Sequence, residues 1–287
     1  MDLESRLRDY NLDDTLSPQF ATNSLTDKLI TVKLNEKREI MEIPARASTL
    51  FLAVPTTEVE TSARAIFEKA REIFELNRWY NQTLAGAEQP RFRYYSSKIF
   101  PLRRTVKTEQ NAIVIEDTDQ GVEGNYFTLR INHRGEVSFA TSYYTVSEYF
   151  ETEGAVFHLG GIIHLLWSFL CLVKEFQEHL DYIDNYHICV SMSNTNESFL
   201  GDFADGWPDV RKGNYIRGPK LFDEICYQSN ILIRRENVNL SVLEYKIEPE
   251  IIKDIAEEIA RAYNQQEARC FDNDTGKLPD KLWPVRY

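Results

Sequence analysis

The chain has 287 residues, 43% of them hydrophobic, 27% charged and 12% aromatic. That is enough apolar material for a sizeable core, and the composition excludes a chain that is disordered over most of its length. A formal net charge of −12 excludes nucleic-acid binding through a global positive field and leaves only a local patch for it.

Residues 1 to about 27 are polar, with breakers at Ser17–Pro18 and Thr22–Asn23–Ser24; they read as a short helix at 2–9 followed by loop. The opening MDLESRLRDYN lacks a basic region leading into an apolar one, so no secretory signal is expected. LITVKL (29–34) and EIMEI (39–43) read as two strands joined by the charged turn NEKR. STLFLAVP (48–55) is apolar and β-rich, which predicts a central strand. Thr56, Thr57 and Glu58 then offer caps for a helix over 58–82, striped by Ala63, Ile66, Phe67, Ala70, Ile73 and Phe74.

After a breaker at 86–90 the chain reads as β-structure to about residue 150: RFRYYSSKIF, NAIVIED, YFTLRIN and GEVSFATSYY. His133-Arg134-Gly135 predicts a hairpin turn, because Gly supplies the positive φ such a turn needs. Across that turn Phe127, Leu129 and Ile131 should match Val137, Phe139 and Thr141.

Ala155 to Val173 is a nineteen-residue stretch without a fixed charge. Its length would allow a membrane span. His158, His164, Ser168 and Gly160–Gly161 fall inside it, and the pattern continues amphipathically through Phe176 and Leu180. A helix over about 158–182, buried all round in its first half and one-sided in its second, is the reading adopted. HICVSMS (187–193) is a short strand, and 194–220 is a Gly- and Pro-containing loop. Residues 225–237 and 237–247 hold one or two further strands. Pro249 sits just inside the start of a helix over 249–264, striped by Ile251, Ile252, Ile255, Ile259 and Tyr263. The turn-rich tail offers Phe271 and Trp283 for packing.

This order predicts an α+β fold with mostly antiparallel sheets and three main helices at about 58–82, 158–182 and 249–264. The expected division is an N-terminal extension at 1–45, a subdomain at 46–150 with the β-hairpin, and a helix–strand–helix subdomain at 151–287 carrying loop 194–220.

Six positive charges fall between Pro90 and Thr108 with no acid among them: Arg91, Arg93, Lys98, Arg103, Arg104 and Lys107. Tyr95 and other aromatics interleave with them. Cations on one strand face with rings free to stack suit single-stranded nucleic acid. The competing account is a solvated strand whose arginines pair with the acidic surplus. In the loop, Trp207, Arg211, Tyr215 and Arg217 are residue types that anchor protein interfaces. Asp202, Asp205 and Asp209 could hold a hard divalent cation, but their spacing is not that of a calcium loop, and no metal or other cofactor is assigned. His158 and His164 are six apart and so do not share a helix face. Cys171, Cys189, Cys226 and Cys270 form no CxxC pair and read as scattered buried thiols of a reducing cytoplasm. The apolar flank of Cys189 argues against a reactive thiolate. No GxSxG or Walker-type motif occurs, so no catalytic residue is assigned and the reading leans towards no enzyme activity.

STLFLAVP followed by a helix, Arg103-Arg104-Thr105 through Gln110-Asn111-Ala112-Ile113, the hairpin YFTLRINHRGEVSF, and the long helix followed by HICVSMS together resemble a known family. The likeness is to the C-terminal region of bacterial Alba-like, Schlafen-type proteins assigned to DNA or ATP binding, over roughly residues 45 to 265. No Alba-like domain is expected ahead of this region in this sequence, so the family's nucleic-acid or nucleotide function is not expected to carry over. The resemblance implies a non-catalytic accessory or sensor subunit of a bacterial multi-protein system, such as anti-phage defence. The expectation is therefore a cytoplasmic protein with a protein partner and no membrane. The alternatives are a nucleic-acid-binding protein using 91–107 and a metal-dependent hydrolase.

Overall fold

A computed structural model describes residues 33–35, 37, 48–57, 59, 62, 64–68, 104–109, 112–117, 127–142, 145–146, 155–179, 185–201, 225–226, 228–243, 249–271 and 276–278. Among them the fold is α+β and its main sheet is antiparallel. The strands are β1 (Ser48–Pro55), β2 (Arg104–Thr108), β3 (Ala112–Asp117), β4 (Phe127–Asn132), β5 (Val137–Thr141), β6 (Thr145–Val146) and β7 (Val156–His158). Helix α1 (Leu159–His179) comes next, then β8 (Asn185–Ser193), β9 (Ser198–Gly201), β10 (Ile225–Cys226) and β11 (Asn230–Asn239). A single 3₁₀ turn (Leu240–Val242) and helix α2 (Glu250–Ala262) complete the order.

Seven strands form one sheet in the order β11-β8-β1-β5-β4-β3-β2, and four short ones form a second in the order β10-β9-β7-β6. β1 is central, as its apolar run predicts: all eight of its residues are buried, so both faces of the sheet are covered there. The larger sheet takes strands from both sides of residue 150, so the line expected near that position runs through it.

The β4–β5 hairpin forms in the predicted register: Phe127 is opposite Thr141, Leu129 opposite Phe139 and Ile131 opposite Val137. Gly135 has φ +75°, and a Cβ there would lie 2.7 Å from Val59 Cγ2, so both backbone conformation and space require glycine.

One face of the sheet is apolar. Phe51, Phe139, Leu129, Ile131, Val190 and Ile233 meet the helices in one core. Phe51 stacks on Phe139 (centroids 5.9 Å) and tilts against Phe169 of α1 (5.7 Å), tying two strands to the helix. By length and composition α1 could cross a membrane, yet 94% of its apolar window is buried inside the chain. Its amphipathic second half presents Lys174, whose Nζ donates to the carbonyls of Ser241 (3.2 Å) and Leu243 (2.5 Å). α2 buries Ile252, Ile255, Ala256, Ile259 and Ala260, the expected stripe at steps of three and four.

Several expectations are corrected. Lys33, Leu34, Asn35 and Lys37 are helical, whereas residues 29–34 were expected to form a strand. Lysines four apart share one face of a helix, and a carboxylate far along the chain engages both, which outweighs the β-propensity of the segment. The first amphipathic helix does not start at residue 58: Val59 and Ser62 are non-helical and 64–68 are helical. The cap is Ser62, whose Oγ accepts the Ala65 N–H at 3.2 Å. The segment 194–220 is not all loop, because it contains β9, which pairs parallel with β7. Pro249 is the N-cap of α2 and so precedes its first turn. The one or two strands expected over 225–247 are β10 and β11, and β11 continues past residue 237 through a bulge between Arg235 and Val238, with Asn237 at φ +54°. The readings at 2–9, 39–43 and 91–100, and that of Trp283, lie outside the described residues.

Candidate functional site: the polar face of the seven-stranded sheet

The second face of the sheet follows from register. Cross-strand partners share a face in an antiparallel pair. Arg234, Cys189, Leu52, Ser138, Arg130, Val114 and Lys107 are therefore one row that crosses all seven strands. His187 and Ser191 flank Cys189 on the same face of β8, and Thr128 and Asn132 flank Arg130 on β4. Alternation with apolar residues would make these polar positions solvent-facing. Instead Ser138 and Cys189 are fully buried, and Arg130 is 8% exposed.

The cations of this face are engaged within the chain. Arg130 Nη1 donates to Glu109 Oε2 at 2.5 Å, and Arg130 Nε has no hydrogen-bond partner among the described residues. Lys107 is paired with Glu116 of the adjacent strand, and both are largely or partly exposed. On the opposite face of β11, Arg235 Nη2 donates to Glu258 Oε2 of α2 at 2.8 Å.

At the hairpin end of the polar face lies a buried ionic cluster. Glu136 Oε1 is 2.5 Å from Lys33 Nζ and its Oε2 is 3.3 Å from Lys37 Nζ. Asn132 Nδ2 donates to Glu136 Oε2 at 2.6 Å. Burial alone would raise the Glu136 pKa, but the two ammonium groups outweigh it and hold the carboxyl below its usual range.

Burial shifts the titration of three core groups, His158, Cys171 and Tyr263. His158 stands at the start of α1, where its Nδ1 accepts the Gly161 N–H at 2.8 Å, and burial lowers its pKa to about 3. The imidazole is neutral and acts as a helix cap. Burial pushes the Cys171 thiol up to about 12. All four cysteines are buried and none is in a disulfide, in line with the reading of scattered buried thiols. Burial also raises the Tyr263 phenol, which is hydrogen-bonded to Ser198.

Of the basic positions read from sequence, Arg104 and Lys107 lie on β2, which ends the row of strands described. Arg91, Arg93, Tyr95, Lys98 and Arg103 lie outside the described residues, as do Trp207, Arg211, Tyr215, Arg217, Asp202, Asp205 and Asp209. Sequence reasoning missed Arg130, Arg234 and the cluster of Lys33, Lys37 and Glu136. The alternation of Arg130 and Asn132 with Leu129 and Ile131 marked a two-faced strand but not what covers its polar side. Among the described residues no group of three or more His, Cys, Asp or Glu could hold a metal ion.

No family model, no curated protein and no solved structure matches this chain.

Proposed function

We propose that this protein is a non-catalytic accessory or sensor subunit that acts by binding a protein partner. One observation supports the reading: two buried side chains with acid–base or nucleophilic potential, His158 and Cys171, are held far from neutrality by burial. His158 is a neutral cap with its pKa near 3, and Cys171 is a thiol with its pKa near 12. Groups titrating so far from neutrality do not exchange protons with a substrate at neutral pH. The assignment to a cytoplasmic bacterial multi-protein system, with anti-phage defence as the example, rests on the family resemblance alone.

The second reading is nucleic-acid binding through the basic segment 91–107. The cross-strand row that brings Lys107, Arg130 and Arg234 onto one sheet face favours it. Pairing of Lys107 with Glu116 and of Arg130 with Glu109 counts against it, because neutralised cations release fewer counterions on binding a polyanion.

A tagged pull-down of the full chain from its native host, assayed for protein and nucleic acid, separates the two. A stoichiometric protein without nucleic acid supports the subunit reading. Nucleic acid that dissociates at high salt, and is lost in Arg103→Glu/Arg104→Glu, replaces it with the second. A chain recovered alone overturns the first.

A further inference from the structure

We propose that Arg130 is the receptor for one phosphate group, taken by the Nε–Nη2 edge of its guanidinium, and that Glu109 is the exchangeable carboxylate that otherwise occupies Nη1.

A guanidinium offers its N–H donors in a flat fork, and Nε with Nη2 forms one of its two-pronged edges. Arg130 uses a different corner. Its Nη1 donates to Glu109 Oε2 at 2.5 Å. Its Nε is buried and has no hydrogen-bond partner among the described residues. The Arg130 side chain is only 9% exposed. A buried charged donor without an acceptor is rare in a folded chain, and a bound ion is one way of satisfying it. Arg235 shows the contrast. It is the more exposed of the two, at 27%, yet its Nη1 donates to the Arg234 carbonyl at 2.7 Å and its Nη2 to Glu258 Oε2 at 2.8 Å.

The sheet face around Arg130 does not supply the acceptor. Its lateral partners are Val114 and Ser138, and Ala112 and Ala140 lie on two of its diagonals. These side chains are short and buried, so the guanidinium rises from a floor lower than itself. The acids on the other two diagonals are engaged by other cations: Glu116 by Lys107, and Glu136 by Lys33 and Lys37.

Glu109 is suited to exchange. Its side chain is 43% exposed, so its carboxylate can return to water while the guanidinium stays buried. Its N–H donates to the Ala112 carbonyl at 2.8 Å, which holds the backbone while the side chain swings. A second carboxylate would bring no more charge than Glu109 already does. A phosphate carries about −2 and has oxygens enough to engage Nε and Nη2 together, the bidentate geometry that arginine favours. This inference goes beyond the subunit reading and does not need the basic row, because it concerns one guanidinium and one phosphate group.

Thermal unfolding of the full chain, titrated with sodium phosphate at constant ionic strength and neutral pH, tests it. Phosphate should raise the midpoint of the wild type, and sodium chloride at the same ionic strength should not. Glu109→Gln removes the competing carboxylate and should lower the apparent Kd for phosphate at least about fivefold. Arg130→Gln should abolish the rise. Phenyl phosphate acting as well as inorganic phosphate supports the site and assigns it to a monoester; inorganic phosphate acting alone supports it and assigns it to the free ion. No rise in either the wild type or Glu109→Gln, an unchanged or weaker Kd in Glu109→Gln, or a rise that survives Arg130→Gln overturns it. Should Arg130→Gln fail to fold, the comparison of wild type with Glu109→Gln, which alters an exposed carboxylate, decides alone.

Discussion

The phenol of Tyr263, just past the end of α2, is 2.7 Å from the hydroxyl of Ser198 on β9. Ser198 already donates its one hydroxyl hydrogen to the Thr195 carbonyl at 2.6 Å, so Tyr263 is the donor. The bond joins the smaller sheet to the second helix across 65 residues of chain. Ser198→Ala leaves the buried phenol and the Thr195 carbonyl without this partner and should cost about 1–3 kcal/mol. Tyr263→Phe keeps the packing and the Ser198 donation and should cost about 1 kcal/mol. Urea unfolding of the two variants checks the order. A larger loss for Tyr263→Phe would contradict the assignment of donor and acceptor.

Stability should fall on acidification through His158. Its pKa is about 3 when folded and near 6.5 when unfolded, so between those values the unfolded chain binds the extra proton. The contribution of the neutral imidazole is complete above about pH 6.5 and is lost as pH falls towards 3, at up to about 1.4 kcal/mol per pH unit. His158→Asn keeps an acceptor for the helix start but removes the titration. Its unfolding free energy should therefore be flatter between pH 6 and 4. Equal slopes in the two proteins would show that His158 is not the group responsible.

The thiols should be silent in the folded protein. With Cys171 at about 12 and all four cysteines buried, a thiol reagent at pH 8 should label none of them until denaturant is added. Rapid labelling of any of the four under native conditions would contradict the described burial.

Phe51 joins β1, β5 and α1 through two ring contacts. Phe51→Ala should destabilise by about 3–5 kcal/mol, through lost burial plus the cavity it leaves. Phe51→Leu should recover most of that, because volume and apolarity are nearly kept. Thermal unfolding resolves the two.

Lys174 replaces water for two carbonyls at the end of the 3₁₀ turn. Lys174→Met fills similar space but leaves those carbonyls unserved, and should cost about 1–3 kcal/mol. The exposed pair Lys107–Glu116 should behave differently, with Lys107→Ala changing stability by less than about 1 kcal/mol. Chemical denaturation of both variants distinguishes a buried cation that serves backbone from a surface ion pair.

Elements with local causes were legible in the residues that form them. β1 was legible as an uninterrupted β-rich run, and the β4–β5 register followed from alternation plus a glycine at the turn. α1 and α2 followed from composition and from a stripe at helical spacing. Each depends on residues within a few positions of one another, which is the range over which backbone sterics and side-chain periodicity act. The remaining features depend on contacts between distant parts of the chain. Lys33 and Lys37, on one helix face, both reach the carboxylate of Glu136, about a hundred residues later. The two-residue strand β10 and the four-residue strand β9 are too short to carry a readable period, and their partners lie elsewhere in the chain. The polar face of the sheet is the clearest case. Arg130, Ser138 and Cys189 occupy one row because four strands, β4, β5, β1 and β8, pair in a given order, and no spacing in the sequence encodes that order. Local pattern specifies which way a side chain points from its own strand; only long-range pairing specifies what it points towards.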